Sequence, residues 1–195
     1  MAFIRPHPDM NKIYSYADYL TWDTEERFEL INGIPYMMAP APSRRHQEIL
    51  FELAGQFRNV LKESPCKGYV APFDVRLPEK ENQSDDEIFT VVQPDLAVVC
   101  DPEKLDERGC VGAPNLVVEI LSPSTASHDY IRKMNLYETH GVKEYWIVHP
   151  NEELVMVFLL EDGKYGRPHV YDKEGVIRPK VVPEAEIVLK DVFAE

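Results

Sequence analysis

The sequence predicts an α/β fold in which a central mixed β-sheet is flanked by helices and preceded by an N-terminal β-hairpin. Apolar runs typical of strands stand before and after segments with helical spacing, and one of these runs is apolar nearly throughout. The prolines and glycines fall between these segments, as expected for turns and loops. With 195 residues the chain is long enough for one sizeable core, so we expect one domain over residues 1–195.

Three segments have the pattern of helices. Residues 15–20 predict a short helix with Ser15 as its N-cap, because a serine side chain accepts hydrogen bonds from the first free backbone amides. Ser43 is expected to cap a longer helix from residue 46 to about residue 62, in which apolar residues recur every three or four positions. A third helix is predicted over residues 127–140, and Gly141 ends it.

The strands follow from apolar runs and turn residues. Residues 27–38 alternate and turn at Asn32-Gly33, a dipeptide that favours a two-residue hairpin. Further strand-like runs are expected at residues 68–77, 90–100, 115–121, 144–148 and 154–160, with hairpin structure over residues 163–188. The run at residues 115–121 should be the central strand, because it is apolar almost throughout and so predicts burial on both faces.

Charge and cysteine content limit the functional classes. The chain has 21 basic and 34 acidic residues and a net charge of −13, whereas DNA-binding proteins attract phosphate through basic surfaces. The acidic runs at residues 79–87 and 101–107 are interpreted as solvated loops. No run approaches the roughly 18 apolar residues of a membrane helix, and residues 1–11 lack the apolar core of a signal peptide. Three cysteines without CxxC spacing predict reduced thiols in a cytoplasmic protein: Cys66, Cys100 and Cys110.

Two carboxylates lie where the pattern predicts burial. Asp95 precedes an apolar tetrapeptide, and Glu119 interrupts the most apolar strand of the chain. An unpaired buried charge costs several kcal/mol, and a divalent cation shared by both carboxylates would remove that cost. The alternative is structural: Asp95 caps a turn and Glu119 forms an internal ion pair.

Lys133 is the third candidate. On the predicted third helix it shares one face with Asp129 and Tyr137, since these positions are four residues apart. That helix follows the Glu119 strand after a short turn, so the ammonium group can reach back to the carboxylates. There it could orient an attacking water or stabilise charge on a phosphoryl oxygen. The alternative is a surface ion pair between Lys133 and Asp129.

These residues carry a resemblance to a known family. Asp95 in Gln93-Pro94-Asp95, followed by Glu119, resembles the split acidic signature of PD-(D/E)XK phosphodiesterases, and the order of elements is similar to the core of that fold. The sequence over residues 14–160 resembles the Uma2 family more closely, on the segments FELING, PSRRH, VVEILSPS, KMNLY and GVKEYWIV. Leu121 stands where PD-(D/E)XK enzymes usually carry their lysine. In Uma2 proteins the following helix supplies that lysine, and Lys133 matches it.

The resemblance implies a restriction-endonuclease-like core and a metal-dependent endonuclease that hydrolyses nucleic-acid phosphodiester bonds, with DNA as the expected partner. Asp95 and Glu119 would hold Mg²⁺ or Mn²⁺, joined by the Ile120 carbonyl, and Lys133 would complete the catalytic set. Glu29, His46 and Arg45 are the expected supporting or phosphate-contacting residues. A homodimer is expected from fold-level analogy alone.

Two positions depart from the Uma2 pattern, and two other functions remain open. Gln93 stands where a basic residue often precedes Pro-Asp, and His149 stands where an aspartate often precedes proline, so both bear on substrate contacts. A catalytically inactive binding or regulatory module is the main alternative, because the acidic surface should slow association with DNA. A hydrolase of another phosphoester would show the same site.

Overall fold

The computed structural model describes residues 8–38, 41–122 and 126–194, with side chains from residue 130 onward in the last range. The α-helices in these residues are Tyr16–Tyr19 (α1), Arg44–Val60 (α2), Ala126–His140 (α3) and Leu189–Val192 (α4), and a short 3-10 helix spans Pro102–Lys104. The strands are Phe28–Ile31 (β1), Ile34–Met37 (β2), Lys67–Val70 (β3), Asp74–Arg76 (β4), Val91–Val92 (β5), Leu96–Val99 (β6), Leu105–Asp106 (β7), Gly109–Val111 (β8), Leu116–Ile120 (β9), Glu144–His149 (β10), Leu154–Glu161 (β11), Lys164–Tyr165 (β12), His169–Asp172 (β13), Val176–Ile177 (β14) and Ile187–Val188 (β15).

The helix boundaries confirm the predicted caps. The Ser15 hydroxyl accepts a hydrogen bond from the backbone N–H of Asp18, and the Asp18 carboxylate accepts one from the backbone N–H of Ser15. This reciprocal capping box fixes the start of α1. The Ser43 hydroxyl accepts from the backbone N–H of His46 at 3.2 Å. Serine thereby sets the direction in which α2 leaves the loop, and with it the position of His46.

The strands form two mixed sheets and a separate hairpin. The first sheet has the order β2-β1-β5-β4-β8-β7, and the second has the order β12-β11-β10-β9-β6-β3, with β13 also paired to β11. Strands β9 and β10 are parallel and are joined by α3, while β6 pairs with β9 in the antiparallel sense. The mixed sheet flanked by helices confirms the predicted fold class, and β9 lies between two other strands, as its apolar sequence predicts.

Two predicted strands are wrong as continuous elements. Residues 68–77 divide into β3 and β4, and residues 90–100 divide into β5 and β6, so that each run contributes to both sheets. Pro72 lies in the first break, after a cis peptide bond, and Pro94 lies in the second. Proline has no N–H to donate to a ladder, so a strand breaks where it occurs. The chain therefore passes between the two sheets at these prolines.

The N-terminal hairpin forms at the predicted turn. Asn32 and Gly33 both have positive φ angles, of 52° and 77°, which is the conformation of a two-residue hairpin turn. A Cβ atom at position 33 would lie 2.5 Å from the Ile13 side chain. Glycine is thus required both by its backbone angle and by the segment that packs against the turn.

The cysteine prediction is wrong for two of the three residues. Cys66 and Cys100 form a disulfide, with their Cα atoms 3.8 Å apart. They directly precede β3 and follow β6, and Lys67 pairs with Val99 in this antiparallel ladder, so the register places the two cysteines opposite each other. Spacing along the sequence could not show this. Cys110 is free and buried, as predicted.

The acidic segments are only partly solvated loops. Residues 105–106 form β7, and the carboxylates of Asp106 and Asp85 face the buried guanidinium of Arg76. The exposed Arg108 also contacts Asp85, at 2.7 Å. Part of the negative charge of these segments is therefore compensated by the chain's own arginines.

Candidate active site

The candidate residues meet where the two sheets adjoin. Asp95 precedes β6 by one residue, and Leu96 pairs with Val118 of β9, so Asp95 and Glu119 come next to each other in the ladder. Glu29 comes from β1 of the first sheet. Helix α3 returns over β9 and contributes Lys133. The site is thus assembled from both sheets and α3, and α2 adds His46.

Asp95 is held by a backbone amide and a histidine. Its Oδ2 atom accepts a hydrogen bond from the backbone N–H of Ile120 at 2.7 Å and lies 3.2 Å from Nε2 of His46. The His46 side chain is buried, and its Nδ1 atom has no hydrogen-bond partner among the residues that the structure describes. Burial lowers the pKa of His46, but the hydrogen bond to Asp95 and the charges of Asp95 and Glu119 outweigh it, so this pKa is raised. His46 therefore orients Asp95.

Glu119 is held by side chains of α3. Its Oε1 atom accepts hydrogen bonds from Lys133 Nζ at 3.0 Å and from the Tyr137 hydroxyl at 2.7 Å. Burial raises the pKa of Glu119 to about 7; Lys133 opposes this shift, and the charges of Asp95 and Glu29 add to it. Three carboxylates are thus close enough to affect one another, which is the electrostatic setting in which a divalent cation binds.

Lys133 bridges the two sheets. Its ammonium group lies 3.0 Å from Oε1 of Glu29 and 3.0 Å from Oε1 of Glu119, and the three side chains are only 12%, 9% and 12% exposed. Burial lowers the pKa of Lys133, but the charges of the two glutamates reverse this effect, so the pKa is raised and the lysine stays protonated. The alternative for Lys133, an ion pair on the surface, therefore does not apply. The alternative for Glu119, an internal ion pair, does form. The Asp129 side chain lies outside the described residues.

Gln93 and Tyr137, which are not among the predicted catalytic or supporting residues, belong to the site. The backbone N–H of Gln93 donates to Glu29 at 2.9 Å, and its side-chain amide donates to Asp74 at 2.7 Å. Gln93 thereby anchors Glu29. Tyr137 was visible only as a neighbour of Lys133 on the same helix face. No local pattern could show that Gln93 reaches Glu29, because the two are 64 residues apart.

The described contacts of Arg45 are with residues other than the site carboxylates. Its guanidinium donates to the backbone carbonyls of Ala194 and Phe193, both at 2.8 Å, and lies 3.6 Å from Glu153. These contacts tie the start of α2 to the end of the described chain. A phosphate contact of Arg45 therefore remains a prediction and would require the guanidinium to exchange partners.

The carboxylate pair fits a hard divalent cation. Within the described residues, no hydrogen bond reaches Oδ1 of Asp95 or Oε2 of Glu119, so each carboxylate keeps one oxygen for a ligand. Mg²⁺ takes one or two carboxylates together with waters and substrate phosphates. The described residues contain no cluster of three or more His, Cys, Asp or Glu side chains able to enclose a metal ion. A metal ion held by Asp95 and Glu119 would therefore take its remaining ligands from outside this set of side chains.

Comparison with known proteins identifies the family. The model of the Uma2 family, described as "Putative restriction endonuclease", matches residues 16–190. The chain belongs to the Uma2 family. Within the described residues, no helix is both long enough and apolar enough to span a membrane.

Two individual proteins are similar to this Uma2 chain. The uncharacterized protein slr1290 of Synechocystis sp. is 31% identical over 125 residues, which are 63% of this chain and 61% of that protein. The alignment therefore leaves more than a third of that relative unmatched. A crystal structure described as "a putative nuclease belonging to DUF820" from Anabaena variabilis has a TM-score of 0.71 at 21% identity, and covers 92% of this chain and 97% of that one. This likeness confirms the fold.

Proposed function

We propose that this Uma2 protein is a metal-dependent endonuclease that hydrolyses phosphodiester bonds of DNA. The observation that carries the proposal is the placement of Lys133. Helix α3 returns the lysine to within 3.0 Å of Glu119, beside Asp95, in place of the lysine that is missing two residues after Glu119. Family membership supports the nuclease class. The metal is inferred from the donor set, and the nucleic-acid substrate is inferred from the family.

Each residue has a role that follows from its contacts. Asp95 and Glu119 would hold Mg²⁺ or Mn²⁺ through their free oxygens, and the bound ion would supply Lewis-acid stabilisation and a water of lowered pKa. Lys133 keeps its proton and can donate to the attacking water or to a phosphoryl oxygen. His46 and Tyr137 hold Asp95 and Glu119 in place. Hydrolysis adds the water oxygen to phosphorus and breaks one P–O ester bond, and the leaving oxygen takes up a proton.

The first experiment measures metal binding and cleavage in the same preparations. Mg²⁺ and Mn²⁺ are titrated by calorimetry into the wild type and into Asp95→Asn, and plasmid and single-stranded DNA are incubated with each protein and metal. We expect the wild type to bind metal and cleave, and Asp95→Asn to do neither, because the amide removes a charged ligand. Asp172→Asn, on the exposed face of β13, is the matched control and should behave as wild type. Full cleavage by Asp95→Asn would rule out this assignment of the site.

A binding or regulatory module without turnover is the second candidate. Its support is that Lys133 is held between two carboxylates, so its charge is already compensated, and that the net charge of the chain is −13. Metal binding without cleavage of any nucleic acid, over a range of salt concentrations, would favour this module. Cleavage that requires Asp95 would exclude it.

A further inference from the structure

Arg27 brings a positive charge to the edge of the candidate active site. It precedes Glu29 by two residues, so the two side chains are on the same face of the N-terminal hairpin. Its Nε and Nη2 atoms donate to Oε1 of Gln93, whose backbone N–H is bonded to Glu29. This amide oxygen is neutral, and Arg27 forms no ion pair within the described part of the chain. The charge of this exposed side chain is therefore not compensated by a carboxylate.

Arg132 lies on the other side of Glu29, because β1 is placed between β2 and β5. Tyr36 of β2 pairs with Glu29 across the hairpin, so its ring is on the same face. The guanidinium of Arg132 lies over this ring, 4.1 Å from its centroid, which is the distance of a cation–π contact. Stacking uses the flat face of a guanidinium, whereas its N–H groups point outward in its plane. Tyr36 thus fixes the plane of Arg132 beside Lys133, its neighbour on α3.

These two arginines are important because the site between them is acidic. Three carboxylates converge there, and the charge of Lys133 is compensated by two of them, each 3.0 Å away. The whole chain has a net charge of −13, so a phosphodiester is repelled unless cations lie along its path. Arg27 is exposed and Arg132 is partly exposed, so both can meet a ligand. Arg45, by contrast, donates to two backbone carbonyls near the end of the described chain.

We propose that Arg27 and Arg132 bind the phosphodiester backbone of the substrate, one on each side of the bond that is cleaved. This inference rests on the proposed function and adds to it the residues that hold the nucleic acid. Nη1 of Arg27 makes no hydrogen bond within the described residues, so it can donate to a phosphate while the other nitrogens hold Gln93. Contacts to phosphate fix the position of a strand and carry no base information. Both arginines are therefore positioning residues and act on any base sequence.

The first test separates KM from kcat for cleavage of a DNA duplex with saturating Mn²⁺. Arg27→Gln and Arg132→Gln should each raise KM about tenfold, with a smaller effect on kcat, because each removes a charge-assisted contact to phosphate. Arg167→Gln is the matched control and should keep the wild-type KM, since Arg167 is an exposed arginine in the loop between β12 and β13. Calorimetric titration of Mn²⁺ checks that each variant retains metal binding. Glutamine variants that keep the wild-type KM overturn the proposal.

The second test measures how KM depends on salt, because a purely structural role is the alternative. Each lost phosphate contact should reduce the slope of log KM against log salt concentration by about 0.9. Arg27→Lys and Arg132→Lys keep the charge and should retain most of the slope. If Arg132 only held α3 to the hairpin through Tyr36, or Arg27 only supported Gln93, the glutamine variants would lose stability in urea denaturation and keep the wild-type slope. That result would exclude the phosphate contacts.

The same measurements distinguish a failure of this inference from a failure of the proposed function. A wild type that cleaves no nucleic acid, with either metal and at any salt concentration, refutes the proposed function, and the phosphate contacts are refuted with it. A wild type that cleaves, beside glutamine variants with its KM and its salt slope, refutes only the assignment of Arg27 and Arg132. A raised KM together with a reduced slope in both variants, and in neither lysine variant, supports the proposal.

Discussion

The buried Glu144 and the largely buried Glu119, whose side chain is 12% exposed, are carboxylates at opposite ends of two neighbouring parallel strands. Glu144 begins β10, where it pairs with Leu116, and Glu119 lies near the end of β9, where it pairs with Ile147. Burial raises the pKa of both residues, although hydrogen bonds to neutral donors oppose this effect at Glu144. Burial and a raised pKa therefore do not distinguish a functional carboxylate from a structural one in this protein.

The partners of the two glutamates do differ. Glu144 accepts hydrogen bonds from the indole N–H of Trp146 at 2.8 Å and from the backbone N–H of Val181 at 3.3 Å. Both donors are neutral. Glu119 instead contacts a cation, and the charges of two further carboxylates reach it. The C-terminal end of parallel strands is also where α/β proteins place ligands. Convergence of charged groups at such an end is thus the informative feature.

The largest expected effect comes from removing the ammonium group of Lys133, which lies beside Glu119 at the end of β9. Lys133→Met leaves Glu29 and Glu119 buried without a counter-charge, so the free energy of unfolding at pH 8 should fall by about 3–5 kcal/mol. Chemical denaturation measures this change. Combining Lys133→Met with Glu119→Gln removes one of the two unpaired carboxylate charges, so the double variant should recover part of the lost free energy of unfolding. A double variant as unstable as Lys133→Met would show that the lysine acts through packing. Lys164→Met, which breaks an exposed ion pair with Glu138, is the control.

Replacing each glutamate by glutamine should distinguish Glu119 from Glu144 by the rate of DNA cleavage. Under the proposed function Glu119 is a metal ligand, and such a ligand contributes several kcal/mol to the transition state, so Glu119→Gln should lower the rate of metal-dependent DNA cleavage by about 100-fold or more. Glu144→Gln should leave the rate unchanged in the folded protein, since its partners are remote from the site. Single-turnover cleavage with saturating Mn²⁺ measures both rates. Equal losses in the two variants would remove the functional distinction between the two ends.

A smaller effect concerns the pH dependence of stability. Because burial raises the pKa of Glu144 above its ordinary value of 4.5, the folded protein holds this proton to higher pH than the unfolded chain. The stabilisation linked to that proton is present below pH 4.5 and is lost as the pH rises through the folded pKa. Glu144→Gln lacks it, so the stability advantage of wild type over this variant should shrink from pH 4 to pH 9. Urea denaturation at several pH values measures the difference, and a constant difference would contradict the shift.

The site residues that the sequence could predict are those whose environment is local. Glu119 stands out because it interrupts an apolar strand, and Lys133 and Tyr137 share a helix face that must pack near it. The contact of Gln93 with Glu29 could not be predicted, because it depends on β1 pairing with β5, in which Leu30 pairs with Val91, 61 positions later in the sequence. The breaks within the two predicted strands at residues 68–77 and 90–100 could have been predicted from Pro72 and Pro94.

The register of the sheets was the main information missing from the sequence. The disulfide between Cys66 and Cys100 follows only once Lys67 is known to pair with Val99. Arg45 illustrates the same limit, because its hydrogen bonds to the carbonyls of Ala194 and Phe193 join positions that are far apart in the sequence. Long-range pairing decides such cases, and local patterns do not encode it.

The passage of the chain between the two sheets at Gln93-Pro94-Asp95 makes the site dependent on how the sheets sit against each other. Glu29 moves with the first sheet and Glu119 with the second, and Lys133 holds the two together. Loosening the junction would separate the carboxylates while every ladder within each sheet stayed intact. On heating, the geometry of the proposed active site should therefore be lost before the secondary structure, so that the temperature at which the proposed cleavage activity falls would report on the contact between the sheets.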